Sequence, residues 1–288
     1  MNRTKIYLIL LSISLFMVTG CAQKKDHLVT IKTRYGDMIA ILYDQTPQHK
    51  QNFIKLANEH FYDSLLFHRV IEGFMIQGGD PESKNAAKDK RLGNGGPGYT
   101  IPAEINPKLF HEKGALSAAR LSDAMNPEKA SSGSQFYVVH GTRQTRSEIT
   151  LDQQKFGRAL QQFFQKPENK VYYDSINTFF QSGDQQAYEA FLANLKPVVE
   201  EQLGISVEKD LSPEMIEAYT TIGGTPQLDG DYTVFGKVIK GLDVIDKIAA
   251  APRDQFDRPV EDIRMTVTVE EMPRRKIERE FGYTYPEE

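Results

Sequence analysis

The sequence is short of cysteine, of net charge and of long apolar runs. Of its 288 residues one is cysteine, Cys21, and none is tryptophan. A lone cysteine excludes an internal disulfide and any zinc site built on several thiolates. With 35 Lys and Arg against 39 Asp and Glu the formal charge is −4. The basic surplus that drives nucleic-acid binding is therefore missing, and no nucleic-acid partner is expected. The longest apolar run, residues 6–18, is too short to span a bilayer as a helix. The histidines are scattered and suggest no metal, and no cofactor is implied. What is there is globular: 40% hydrophobic residues are enough to build a core, which rules out a wholly disordered chain.

Arg3 and Lys5 precede that apolar run, and no acidic residue occurs before Asp26. A basic start followed by a short apolar stretch reads as a secretory signal. The run ends in Val18-Thr19-Gly20-Cys21, which resembles the lipobox of bacterial lipoproteins. That resemblance implies a signal peptide over residues 1–20, lipidation of Cys21 and a tether over 21–27. More than one acyl chain gives stable anchoring. The mature protein is thus expected on the cell envelope, at the periplasmic face of the inner or outer membrane or at the cell surface. Without Arg3 and Lys5, 33 basic residues face 39 acidic ones, and the charge falls to −6.

Residues 28–33 and 38–43 are β-rich and separated by Arg34-Tyr35-Gly36-Asp37, which reads as a hairpin. Thr46-Pro47 supplies a cap and first-turn proline for a helix over 47–60. Strand-like runs follow at 66–71, 74–77, 115–119, 135–139, 233–239 and 263–270, with an amphipathic helix over 242–250. Many short strands and two helices suggest a closed or nearly closed barrel with helical plugs. Residues 142–220 differ: three of the 21 glycines fall there, and no strand pattern is visible. Thr150 and Gln153 suggest a capping box. Aromatic and aliphatic stripes beginning at Phe156, Tyr172 and Tyr188 predict three amphipathic helices, broken near Pro167, Gly183 and Pro197. The segments on either side make one domain of ordinary size. The chain thus divides into a domain over 28–141 and 221–272, a helical insertion over 142–220, and a charged tail over 273–288 that begins as a short helix.

The run Phe67-His68-Arg69-Val70-Ile71-Glu72-Gly73-Phe74-Met75-Ile76-Gln77-Gly78-Gly79-Asp80-Pro81 closely resembles the signature block of the cyclophilin-type peptidyl-prolyl isomerases. Satellite blocks occur in the family's order: Asn52-Phe53, Tyr62-Asp63, 95–99, 114–117, Gly133-Ser134-Gln135-Phe136, Leu228-Asp229-Gly230 and 234–238. The resemblance implies a mostly β fold: an eight-stranded antiparallel cyclophilin-like barrel with two capping helices, here carrying an all-helical insertion. It implies isomerisation of X–Pro bonds in unfolded or partly folded envelope proteins. Arg69 is the implied catalytic residue. Phe74, Met75, Gln77, Ala119, Arg120, Gln135, Phe136, Tyr137, Leu228 and Tyr232 are the implied substrate-binding residues.

The chemistry stands beside the resemblance. Rotation about X–Pro is slow because amide resonance must be broken, at roughly 18–20 kcal/mol. A twisted amide gains a usable lone pair on the proline nitrogen, and a permanently protonated donor bonds it only in that state. Phe67, Arg69 and Ile71 are expected on one strand face. The resemblance implies that Phe74 and Met75 would grip the ring and that Gln77 would hold the guanidinium. Tyr137, Tyr232 and Gln227 stand where the family usually has Phe and many members have His and Trp. Lacking that indole weakens the expected binding of cyclosporin, and a buried Tyr137 hydroxyl needs a partner. Gly93-Asn94-Gly95-Gly96-Pro97-Gly98 fits a dinucleotide fingerprint literally, but no apolar strand precedes it and no helix follows. The sequence is also compatible with two other readings. One is a non-catalytic envelope scaffold with a partner docked on 142–220. The other is a chaperone whose insertion binds clients.

Overall fold

Residues 24–286 are described by the structure, a computed structural model. The signal segment and Cys21 lie outside the described residues. Alternating apolar residues make the first hairpin, β1 (Lys25–Thr33) and β2 (Gly36–Leu42), whose Val29, Ile31, Met38 and Ala40 are fully buried. Residues 25–27, expected in the tether over 21–27, are part of β1. Lys25 and Asp26 are already paired with Pro273 and Met272. Beyond it come β3 (Phe67–Ile71), β4 (Met75–Gly78), β5 (Thr100–Ile101), β6 (Ala115–Ala118), β7 (Ser131–Ser132), β8 (Phe136–Val139), β9 (Val234–Lys240) and β10 (Thr266–Pro273). Eight of these form one antiparallel sheet in the order β10-β1-β2-β9-β6-β8-β4-β3, and β5 pairs with β7 apart from it.

The sheet curls until its edges meet. Leu66 bridges Arg264, and the Phe67 amide donates to the Ile263 carbonyl at 2.9 Å. Closure removes exposed edges and encloses one core. The helices are α1 (Pro47–Asn58), α2 (Arg146–Thr150), α3 (Gln153–Phe164), α4 (Lys170–Ser182), α5 (Gln185–Leu203), α6 (Pro213–Thr221), α7 (Leu242–Ala249) and α8 (Arg274–Phe281). Helices α1 and α7 plug the barrel with Phe53, Leu56 and Ala57, and with Val244, Ile245 and Ile248. Phe53 lies against Tyr62, Phe136 and Phe235 at 5.0, 5.4 and 5.5 Å between ring centroids. Among the described residues no helix is long and apolar enough to cross a membrane.

The segment between β8 and β9 leaves at Gly141 and returns at Gly224. Thr142 bridges Gly224, and a Cβ on Gly141 would collide with the Gly224 backbone. The crossing therefore requires glycine. The segment has a core of its own, with Phe156, Phe163, Leu195, Val199 and Val207 buried together. It holds five helices, not three. The boxed cap is Thr145 with Glu148, and Asp152 caps α3. Pro197 lies inside α5 without ending it. Leu195 and Val199, on either side of the proline, are both buried in that core, so packing outweighs the helix-breaking tendency. The charged tail is also more than a solvated helix. Ile277 of α8 is fully buried with Leu28, Ile41 and Met272, and Tyr283 and Tyr285 pack on the same cluster.

Candidate active site

A row of four residues crosses four adjacent strands. Arg69 on β3 is opposite Gln77 on β4, Gln77 opposite Tyr137 on β8, and Tyr137 opposite Ser117 on β6. Strict alternation would put Phe67 and Arg69 on one face. The ladder instead slips between them, Phe67 pairing with Gly78 and Arg69 with Gln77. This bulge at His68 sends Phe67 into the core and Arg69 outward, correcting the shared face expected from spacing. Ile71 remains on the Arg69 side, packed with the apolar cluster beneath the cleft.

That cleft has a volume of about 820 Å³. Arg69, Gln77, Phe74, Met75, Ala119, Arg120, Tyr137, Leu228 and Tyr232 all line it. Met75 and Tyr137 are buried at its base, with Phe74, Leu228 and Tyr232 packed beside them. The result is an apolar cup beside a cation. The Arg69 side chain is 43% exposed, its Nη1 lies 3.4 Å from Gln77 Oε1, and its Nε lies 3.8 Å from Asp257. The Arg120 guanidinium is tied down. Its Nε donates to the Asp231 carbonyl at 2.9 Å, and the plane covers the Tyr232 ring at 4.4 Å. No residue of 142–220 is among those lining the cleft.

Two implied substrate contacts take different places. Phe136 points into the barrel core against Phe53 and Tyr62, because it alternates with Tyr137 along β8. Gln135 spends its amide inside the protein. Its Nε2 donates to the Gly93 and Gly95 carbonyls at 2.9 and 2.7 Å, and its Oε1 accepts from Gln77 at 3.0 Å. It thus links the wall of the cleft to the partner of Arg69. Asp80, fully buried, accepts from the Gly93 and Gly95 amides at 2.5 and 3.3 Å. A Cβ on Gly95 would collide with the Asp80 carboxylate, so glycine is required there. The opposite wall is the loop at 254–258. The Val70 amide donates to the Asp257 carbonyl at 2.8 Å, and buried Arg258 donates to the Ala87 carbonyl at 2.7 Å and to Asp262 at 3.0 Å.

His68, buried beside the cleft, is held at about 4 from its ordinary value near 6.5; burial outweighs the attraction of Asp80. Held there, the ring is neutral at physiological pH. The folded state therefore resists protonation that the unfolded chain accepts, and stability falls as pH drops from 6.5 to 4. We expect wild type to lose about 3 kcal/mol more than His68→Gln across that window, read by thermal unfolding at each pH. Equal losses in the two proteins would refute the assignment.

The Tyr137 hydroxyl does have its partner. His111 Nε2 lies 3.0 Å away, and His111 is itself completely buried. The other ring nitrogen lies 2.8 Å from Asp229, which also receives the Tyr219 hydroxyl at 2.5 Å. Sequence reasoning missed His111 and Tyr219. Asp229 stood inside the Leu228-Asp229-Gly230 block, where only its neighbour suggested a pocket. A buried histidine far in sequence from its carboxylate leaves no local spacing to read.

The curled antiparallel sheet thus carries an apolar cup on its outside, with the half-exposed Arg69 guanidinium beside it. The family model described as "Cyclophilin type peptidyl-prolyl cis-trans isomerase/CLD" matches residues 28–174 and 205–270. The chain belongs to that family of enzymes. It is 27% identical over 251 residues to a putative peptidyl-prolyl cis-trans isomerase of Staphylococcus epidermidis, covering 86% of this chain and 94% of that protein. It is 52% identical over 91 residues to peptidyl-prolyl cis-trans isomerase B of Bacillus subtilis, 31% of this chain and 53% of that one. A putative bifunctional phosphatase/peptidyl-prolyl cis-trans isomerase of Streptococcus pyogenes is 30% identical over 239 residues, and the chain spans 37% of its length.

Proposed function

We propose that this chain isomerises X–Pro bonds in unfolded or partly folded exported proteins while anchored to the cell envelope through Cys21. The observation that carries the catalytic part is the juxtaposition of Arg69 with the cup of Phe74, Met75, Tyr137, Leu228 and Tyr232. The proline ring enters the cup by burial and dispersion. The guanidinium meets the proline nitrogen only once the amide has twisted and its lone pair is free. Planar substrate gains nothing from that bond, so it lowers the barrier instead of deepening the ground state. Gln77 fixes one guanidinium nitrogen, and Gln135 fixes Gln77. The anchoring part rests on the basic start, the short apolar run and Cys21.

In a protease-coupled peptide assay the full chain accelerates cis–trans exchange. In cells, wild type fractionates with membranes and carries acyl label, whereas Cys21→Ala is released to the soluble fraction with its isomerase activity intact. A protein without isomerase activity would overturn the catalytic reading. An unlabelled wild type would overturn the anchor.

A further inference from the structure

The helical insertion contributes no residue to the cleft lining, yet one of its side chains reaches the structure beneath it. Tyr219, near the end of α6, is completely buried. Its ring lies edge-on to Phe110, and a Cβ on Gly224 would collide with it. Its hydroxyl accepts the His111 amide at 3.1 Å and donates to Asp229 Oδ2 at 2.5 Å. The other carboxylate oxygen receives both the His111 amide, at 2.9 Å, and His111 Nδ1, at 2.8 Å. At that contact the imidazole Nδ1 is the donor and the carboxylate oxygen the acceptor. Nε2 faces the Tyr137 hydroxyl at 3.0 Å. The Tyr137 ring stacks on His111 at 6.1 Å with an interplanar angle of 11°, and stands edge-on to Tyr232 at 6.0 Å.

We propose that Tyr219 is a positioning residue of the isomerase, holding the floor of the proline cup by way of Asp229, His111 and Tyr137. This rests on the isomerase reading of the cleft and assigns the insertion a part in it. Three consecutive hydrogen bonds join the insertion to the floor; Tyr219, His111 and Tyr137 are buried, and Asp229 between them is 19% exposed. A Tyr137 ring that turned or sank would give up the His111 contact that holds its hydroxyl. Phenylalanine at the floor would be held by packing alone. Here a tyrosine floor and a tyrosine in the insertion are coupled through one imidazole. The floor touches the ring in planar and twisted substrate alike, so its position governs binding and leaves the chemical step to Arg69.

The test is a double-mutant cycle in the full chain with a chromogenic Xaa–Pro tetrapeptide anilide. Tyr219→Phe keeps the ring and removes the hydroxyl. Its KM is expected to rise about 5-fold with kcat within about 2-fold of wild type. In a Tyr137→Phe background the same change is expected to leave KM unaltered, because the floor no longer receives the coupling. A merely structural Tyr219 would lower the unfolding temperature and leave KM alone, or shift KM equally in both backgrounds; either result overturns the proposal. Asp229→Asn, put through the same cycle, gives the answer if Tyr219→Phe does not fold. Should wild type fail to isomerise, the catalytic reading falls by itself. The cycle is then run on the affinity of an Ala–Pro peptide measured by NMR titration, where additive changes overturn the coupling.

Discussion

Arg69→Ala should lower kcat/KM for an Xaa–Pro peptide by about 10²- to 10³-fold while leaving the unfolding temperature unchanged. That is the usual loss on deleting one preorganised donor aimed at charge or a lone pair developing in the transition state. The fold should tolerate the change, because the side chain is 43% exposed and its contacts are a 3.4 Å approach to Gln77 and a 3.8 Å approach to Asp257. Exposed pairs of that kind contribute little to stability. The loss should fall mainly on kcat, since planar substrate still finds the cup of Phe74, Met75, Tyr137, Leu228 and Tyr232. Arg69→Lys separates charge from shape. It keeps a cation but loses the planar fork that Gln77 holds, so it should recover only part of the rate. Peptide turnover by the coupled assay, with unfolding curves on the same samples, reads both effects. If Arg69→Ala turned over peptide at the wild-type rate, the twisted-amide account would be wrong.

The site was legible where a short segment carries several of its residues in fixed order. The block from Phe67 to Pro81 carries Arg69, Phe74, Met75 and Gln77, and strand pairing brings all four to one cleft. What the pattern concealed was the bulge at His68, because one extra residue leaves composition and periodicity intact while reversing which side chains face outward. For the same reason Phe136 and Tyr137 could not be assigned to faces until the pairing of β8 with β4 was known. Gln135 could be assigned to a pocket but not to a partner, since the carbonyls it bonds lie some forty residues away. The aromatic stripes of 142–220 were legible as helices. Pro197 looks like a break in the sequence because its local preference is strong, and the packing of Leu195 and Val199 that overrides it is tertiary. The start of β1 was hidden by its polarity: Lys25, Asp26 and His27 do not look like a strand.

That polar start is the source of the largest expected change in stability. Asp26 is buried on β1, and the Lys50 ammonium from α1, itself 10% exposed, lies 2.6 Å from it. The same ammonium donates to Asp44 at 2.7 Å and to the Leu42 carbonyl at 3.1 Å. It thus pins the first helix to the first hairpin. Lys50→Ala removes all three bonds and leaves the buried Asp26 carboxylate, which also accepts from the His27 amide at 2.8 Å, without the ammonium that neutralises it. Deleting one partner of a buried pair costs about 3–5 kcal/mol, because the survivor keeps its desolvation penalty. For a domain of this size that is a fall of roughly 10 °C in the unfolding temperature. The cost belongs to the stranded charge more than to the lost pair. Replacing both members, as in Lys50→Met with Asp26→Leu, should therefore recover most of the stability. Calorimetry on the two single variants and the double one settles this. A Lys50→Ala protein within about 1 kcal/mol of wild type, or a double variant no better than the worse single one, would mean that the helix is held by the packing of Phe53 and Leu56 and not by this ammonium.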